Sequence, residues 1–199
     1  IDEKIQPENY PYVGLDMVTS EIVFTIVPSK IYYTTNDNQL VSTDIDMVYN
    51  VIDHIYENDK GVIVFDSVID SIPYRAFVGC DNLIDIVIPD CVTGIEDMAF
   101  AHCSELTSIT IQNGMNNIGY RAFYDCTSLT SITIPEGMQG ISDEVFLNCS
   151  AITSITIPNS VMVIGLWTFR DCVSLTSIIF EGTIEEWNNI HKSTEWNSN

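Results

Sequence analysis

The chain has 199 residues, 46% of them hydrophobic, with 28 acidic and 7 basic side chains and a formal charge of −21. That length allows one or two domains around an ample apolar core. The acid excess argues against nucleic-acid binding, which needs a basic patch to replace phosphate counterions, and against docking on anionic lipid; no apolar run approaches the ~18 residues of a membrane-spanning helix.

Residues 1–20 (IDEKIQPENYPYVGLDMVTS) are polar and interrupted by Pro7, Pro11 and Gly14, and read as an extended arm. The chain does not begin with Met and carries no signal-peptide pattern. It therefore reads as a mature or trimmed form, and the missing signal is no argument for a cytosolic protein. Glu21–Val27 and Ile31–Thr35 are β-branched and aromatic and predict strands. Asn36-Asp37-Asn38 is turn chemistry, with Gln39–Ser42 expected to return as a hairpin arm. Val51–Tyr56 fits a strand or a helix face. Asn58-Asp59-Lys60-Gly61 is a turn into Gly61–Phe65. The span 21–64 is expected to cap the open end of the repeat array that begins at Phe65.

From Ile88 to Ile179 one 23-residue phrase occurs four times, with a looser copy over 65–87 and a broken one from Phe180. Fixed-period self-similarity is the mark of a solenoid, and 65–180 is assigned to it. A residue type that returns once per turn sits above its previous copy. The columns are Phe77, Phe100, Phe123, Phe146 and Phe169; Cys80, Cys103, Cys126, Cys149 and Cys172; and Ile72, Ile95, Ile118, Ile141 and Ile164. The LTSIT phrase alternates with period 2, which predicts one strand per turn near Leu83, Leu106, Leu129, Ile152 and Leu175. Gly61–Phe65 fits the same slot one turn earlier, giving six candidate parallel strands. The returning limb, such as Gly119–Cys126, is too short for a full helix and predicts a helical or 3₁₀ turn. In 181–199, a C-terminal cap fragment, Trp187 takes the Ile column and Lys192 breaks the Phe column. A helical turn anchored by Trp187 and helped by Trp196 is expected to cover the last rung.

The pattern I-P-x-x-V-x-x-I-G-x-x-A-F-x-x-C-x-x-L-T-S-I-T over about Phe65 to Phe180 resembles the BspA-like leucine-rich repeats. The resemblance implies an α/β fold class: a right-handed leucine-rich-repeat solenoid, β-rich, with short helical or 3₁₀ turns on its convex side and a small N-terminal β-rich cap. Periodicity alone leaves a plain β-solenoid open. Members of the family are found largely on bacterial surfaces and in some protozoa, and are associated with adhesion to host proteins and other microbes. The family often continues past a similar Trp-Asn segment, so the natural chain is expected to extend beyond Asn199.

The candidate chemistry is sparse. Five of the six cysteines share one column, which argues for stacked, unpaired thiols rather than disulfides. Cys91 stands apart in a loop. His54, His102 and His191 are scattered, and no nucleophile, phosphate-loop or metal-ligand pattern accompanies them. The adjacent acids Glu96-Asp97, Asp143-Glu144 and Glu185-Glu186 read as a solvated face. No catalytic, cofactor or metal site is therefore expected. The remaining feature is the outward side of the strands. Asp85, Ser108, Ser131, Ser154 and Ser177 form one stripe, and Val87, Thr110, Thr133, Thr156 and Ile179 the next. In a leucine-rich repeat these face the usual partner surface; strand propensity and ladder hydrogen bonds are the alternative reason for their Ser and Thr. Arg75, Arg121 and Arg170 with Tyr74, Tyr120, Tyr124 and Trp167 offer a second patch on the returning limb. The expected function is a non-catalytic, secreted or cell-surface, adhesin-like module. It would be a monomer that binds a protein or glycan, host extracellular-matrix proteins included. The alternative is a structural spacer with no ligand.

Overall fold

The computed structural model describes strand residues 13–16 and 23–26 and the continuous stretch 29–197. Strands β1 (Val13–Asp16) and β2 (Val23–Ile26) pair antiparallel, so the expected arm supplies a strand. The rest of 1–20 lies outside the described residues.

The period of 23 becomes two stacked ladders. After β3 (Lys30–Thr35), β4 (Val51–Glu57) and β5 (Lys60–Phe65), each turn contributes two back residues and one front strand. The back strands are β6 (Ser71–Ile72), β8 (Gly94–Ile95), β10 (Asn117–Ile118), β12 (Gly140–Ile141) and β14 (Val163–Ile164). The front strands are β7 (Leu83–Val87), β9 (Ser108–Thr110), β11 (Ser131–Thr133), β13 (Ser154–Pro158) and β15 (Ser177–Glu181). All pairings among these are parallel and shifted by one repeat. Both ladders are interrupted at one level. The sheets run β4-β5-β3-β7-β9 and β11-β13-β15 in front, and β6-β8-β10 and β12-β14-β16 behind, where β16 is His191–Lys192.

The interior between the ladders is the column set. The five Phe rings are buried and nearly parallel, with centroids 5.2, 5.4, 5.7 and 5.7 Å apart. These spacings exceed the ~4.8 Å strand repeat, so each ring slides sideways over the next, the offset that aromatic quadrupoles favour. The Cys column has a polar reason as well as an apolar one. Cys103, Cys126, Cys149 and Cys172 each donate through Sγ to the carbonyl of the Phe 26 residues earlier, at 3.0–3.2 Å. Burial pushes the Cys126 and Cys149 thiols well above their ordinary value and Cys172 up to about 12. Cys103 is raised first by its hydrogen bond with Cys80 and then by burial. No disulfide joins the six. At neutral pH the native chain should therefore take up at most one equivalent of an alkylating reagent, at half-buried Cys91, and six after denaturation. Two or more equivalents in the native state would show that the column opens.

Three expectations need correction. First, β5 is not a solenoid strand. It pairs antiparallel with β3 and β4, and β3, running antiparallel, lies between β5 and β7, so the front ladder has five parallel strands. The cause is steric. Ile31, Tyr33 and Thr35 point into the core. The Tyr33 ring occupies the space over Gly61, where an added Cβ would fall 2.0 Å from a ring carbon. Val51–Glu57 is accordingly a strand, joined to β5 through Asn58 and Asp59, both at positive φ, as a two-residue hairpin demands.

Second, Gln39–Ser42 is no hairpin arm. The chain crosses the first turn of the limb there. Val41 and Ile45 are buried, the Ser42 carbonyl accepts Cys80 Sγ at 2.6 Å, and Thr43 Oγ1 donates to the Ala76 carbonyl at 2.7 Å. This segment supplies to Cys80 the carbonyl that a Phe supplies to each later cysteine of the column. It ends in the 3₁₀ helix Ile45–Met47, the only one among the described residues.

The limb holds the short i→i+3 turns expected of it, such as Ala122 N to Gly119 O and Tyr124 N to Arg121 O. Left-handed residues stop these turns from becoming a helix: Arg75, Met98, Arg121, Glu144 and Trp167 in one column, and Gly79, His102, Asp125, Asn148 and Asp171 in another. Third, Trp187 does not take the Ile column. Ile164 pairs with Lys192, because the helix α1 (Ile184–Asn189), closed by a capping box between Thr183 and Glu186, inserts five residues into the repeat. The expected tryptophan cover is present. Trp196 meets Phe169 edge-on at 6.0 Å and Trp187 at 6.0 Å.

Candidate binding surface

The predicted stripes are brought into register by the front ladder. Asp85 lies opposite Ser108, and Val87 opposite Thr110. Ser131, Ser154 and Ser177 form one row, and Thr133, Thr156 and Ile179 the next. The interruption between β9 and β11 falls in the middle of both rows.

The ladder hydrogen bonds offered as the reason for these Ser and Thr residues are made by another column. Thr107, Thr130, Thr153 and Thr176 each donate through Oγ1 to the backbone carbonyl one turn earlier, at 3.1–3.4 Å. In the stripes themselves only Ser108 is engaged, donating to Asp85 at 2.6 Å. Among the described residues, the hydroxyls of Thr110, Ser131, Thr133, Ser154, Thr156 and Ser177 make no side-chain hydrogen bond within the protein.

Alternation alone missed the continuation of the face onto the N-terminal strands. Tyr32 pairs with Val87 on one side and Val62 on the other, and Val62 pairs with Ile55. The row Ile55, Val62, Tyr32, Val87, Thr110 is thus one line across five strands. Tyr32 is 48% exposed, Ile55 39% and Val87 38%. The front face thus sets an exposed aromatic in a row of aliphatics beside a field of unengaged hydroxyls. The signal was present in IYYTT, where Tyr32 alternates with core-facing Ile31 and Tyr33.

The second patch also forms. Arg121 lies between the rings of Tyr120 and Tyr124, 5.0 Å from each centroid. Arg170 lies 4.8 Å over Trp167, and Arg75 5.9 Å from Tyr74. Of the acid pairs, Glu96, Asp97, Asp143, Glu185 and Glu186 are exposed as expected, and Glu144 is buried. Asp97 and Asp143 accept the backbone N–H of Tyr120 and Leu166, both at 2.7 Å. Glu144 is buried and ion-paired to Arg121 at 2.7 Å. The histidines are scattered as expected: His54 bonds Tyr33 at 2.7 Å, and His102 bonds Asp125 at 2.9 Å. Among the described residues no three His, Cys, Asp or Glu side chains come together as metal ligands, and no helix is long and apolar enough to cross a membrane.

Six copies of the BspA type leucine rich repeat region match residues 70–192. The chain belongs to this family. Among solved structures, the T. pallidum leucine rich repeat protein is 34% identical at a TM-score of 0.55, over 57% of this chain and 53% of its own. A leucine-rich repeat protein from Bacteroides ovatus is 30% identical at 0.54, over 81% of this chain and 41% of its own. A leucine rich cell surface protein from Faecalibacterium prausnitzii is 28% identical at 0.48, over 60% and 38%. The chain thus spans about half, or less, of the length of these relatives. No curated protein matches. Together with the two ladders, the BspA-type repeats make the fold a leucine-rich-repeat solenoid of about five turns with little helix.

Proposed function

We propose that this BspA-type chain is a non-catalytic, extracellular or surface-attached binding module that recognises a protein through its front face. Asp85, Ser108, Thr110, Ser131, Thr133, Ser154, Thr156 and Ser177 carry the polar contacts, and Tyr32 with Ile55 and Val87 the apolar anchor. The observation that carries this reading is the field of unengaged hydroxyls in register with an exposed aromatic row. The formal charge of −21 favours a partner with a basic surface, such as an extracellular-matrix protein. The test is a binding screen of the purified chain against matrix proteins at physiological salt. The variants Ser131→Arg/Thr133→Arg and Tyr32→Ala run beside it. Saturable binding that both variants weaken tenfold or more, about 1.4 kcal/mol, is the expected result. Binding untouched by either variant would move the site off the front face, and no binding to any protein would favour a spacer.

A further inference from the structure

We infer that the returning limb carries a separate site for a neutral sugar ring, independent of the front face. The site arises because stacking turns three sequence columns into a patch three turns wide. Arg121, Glu144 and Trp167 are consecutive members of one column, all at φ between 53° and 57°. Tyr124 and Arg170 stand two turns apart in the second. Asn148 and Asp171 follow in the third. These seven side chains and Leu147 line one open cleft of about 300 Å³. That is the small end of the range of ligand sites, matching one sugar ring rather than a longer polymer.

The cleft is built more rigidly than a solvated limb requires. Glu144 is 7% exposed, and its carboxylate holds Arg121 Nε at 2.7 Å and Tyr120 OH at 3.2 Å. The pair is only half-buried, its carboxylate covered and its guanidinium 34% exposed, and a pair so placed contributes little stability, so its role is to hold the arginine in position. Here it fixes the Arg121 guanidinium between two phenol rings. Trp167 is fixed in turn by donating Nε1–H to Glu195, and Arg170 lies across its face. Asn148 spends its amide N–H on Asp125, which leaves its carbonyl oxygen as an acceptor.

Charge selects the ligand class. The chain holds only three arginines against 28 acids, and two of them meet in this cleft. Each has a carboxylate beside it: Glu144 at 2.7 Å from Arg121, and Asp171 at 3.7 Å from Arg170. Both cleft arginines are thus offset by carboxylates, and Glu195 and Asp125 stand beside Trp167 and Asn148, so the cleft carries no net positive charge and disfavours an anionic ligand. Among the described residues the Arg170 guanidinium makes no hydrogen bond within the protein. Its N–H donors, the Asn148 carbonyl and the Asp171 carboxylate line the cleft together with Tyr124 and Trp167. Donors and acceptors gathered in one cleft with aromatic side chains match a ring of vicinal hydroxyls with an apolar C–H face.

The experiment titrates the purified chain with short neutral gluco-, galacto- and manno-oligosaccharides, and with a uronic-acid oligosaccharide, by calorimetry and tryptophan fluorescence. At least one neutral sugar should bind saturably. Arg170→Ala, an exposed position that leaves the core intact, should weaken it about tenfold or more, the loss of one charge-assisted hydrogen bond. Trp167→Phe should weaken it too, whereas Ser131→Arg/Thr133→Arg should leave it unchanged. The inference is overturned if no neutral sugar saturates the chain, if only the uronic-acid sugar binds, if Arg170→Ala binds as well as the parent, or if the front-face variant abolishes binding.

Discussion

Phe123→Ala lowers the stability of the chain by about 3–5 kcal/mol, the range for a fully buried aromatic truncated in a core. Phe123 is 0% exposed and lies between Phe100 and Phe146, within 3° and 5° of parallel to them. Its loss removes two ring contacts as well as buried area. The gap cannot close easily. The neighbouring turns are held at fixed height by Phe123 N to Val145 O at 3.0 Å and by Cys149 Sγ to the Phe123 carbonyl at 3.0 Å. The position also matters. Phe123 sits on the limb joining β10 to β11, where the front and back ladders are both interrupted. Across that level the limb stack does much of what ladder pairing does elsewhere, helped by Ser142 Oγ donating to the Ile118 carbonyl at 2.7 Å. Phe123→Ala should therefore cost more than Phe169→Ala, whose ring has a Phe on one side only and Trp196 edge-on at the other. Urea titrations check this. A loss below about 1 kcal/mol would mean the column is not core, and a fall in m-value would show the array splitting into two cooperative units.

The columns were legible because a 23-residue period gives each residue its own copy as neighbour, so identity alone reveals who touches whom. Phe, Cys and the strand slots needed no further information. What the period could not reach is what does not repeat. The insertion of β3 between β5 and β7 depends on the Tyr33 ring filling the space over Gly61, a contact between single residues 28 positions apart. The five-residue shift at α1 has no counterpart in earlier turns, so counting by 23 put Trp187 where Lys192 lies. The front face divided in the same way. Its Ser and Thr rows follow from alternation. Tyr32, Ile55 and Val62 join them only through antiparallel pairing that no repeat announces. Glu144 illustrates a third limit. Two adjacent acids look solvated in sequence, but the left-handed backbone at Glu144 turns its carboxylate under Arg121 of the turn before.

Gly119→Ala should destabilise by about 1–3 kcal/mol, as overpacking does. Gly119 has no positive φ to protect, so the usual conformational argument for glycine does not apply. On backbone entropy alone, alanine at such a site would stabilise by about 0.4–1 kcal/mol. The opposite sign is expected because the added Cβ would fall 2.6 Å from the backbone N of Asp97, 2.7 Å from the backbone C of Glu96 and 2.5 Å from Asp97 Oδ1. Two of these three atoms are main chain and cannot rotate aside. The same Asp97 Oδ1 accepts the Tyr120 N–H at 2.7 Å, so the close approach and the hydrogen bond are one feature. It recurs two turns later, where Gly165 abuts Asp143, whose Oδ1 accepts the Leu166 N–H. The turns between and before carry Glu96, Ser142 and Pro73 in that column, and there the approach is not used. Gly94→Ala is the internal control. Its Cβ would meet nothing closer than 3.5 Å, and its effect should be neutral or slightly stabilising. If Gly119→Ala and Gly94→Ala had the same sign in denaturant titrations, the Asp97 staple would not be what sets the height between these turns. If only Gly119→Ala and Gly165→Ala destabilise, and removing the side chain in Asp97→Ala/Gly119→Ala fails to restore stability, the main-chain contact is the cause.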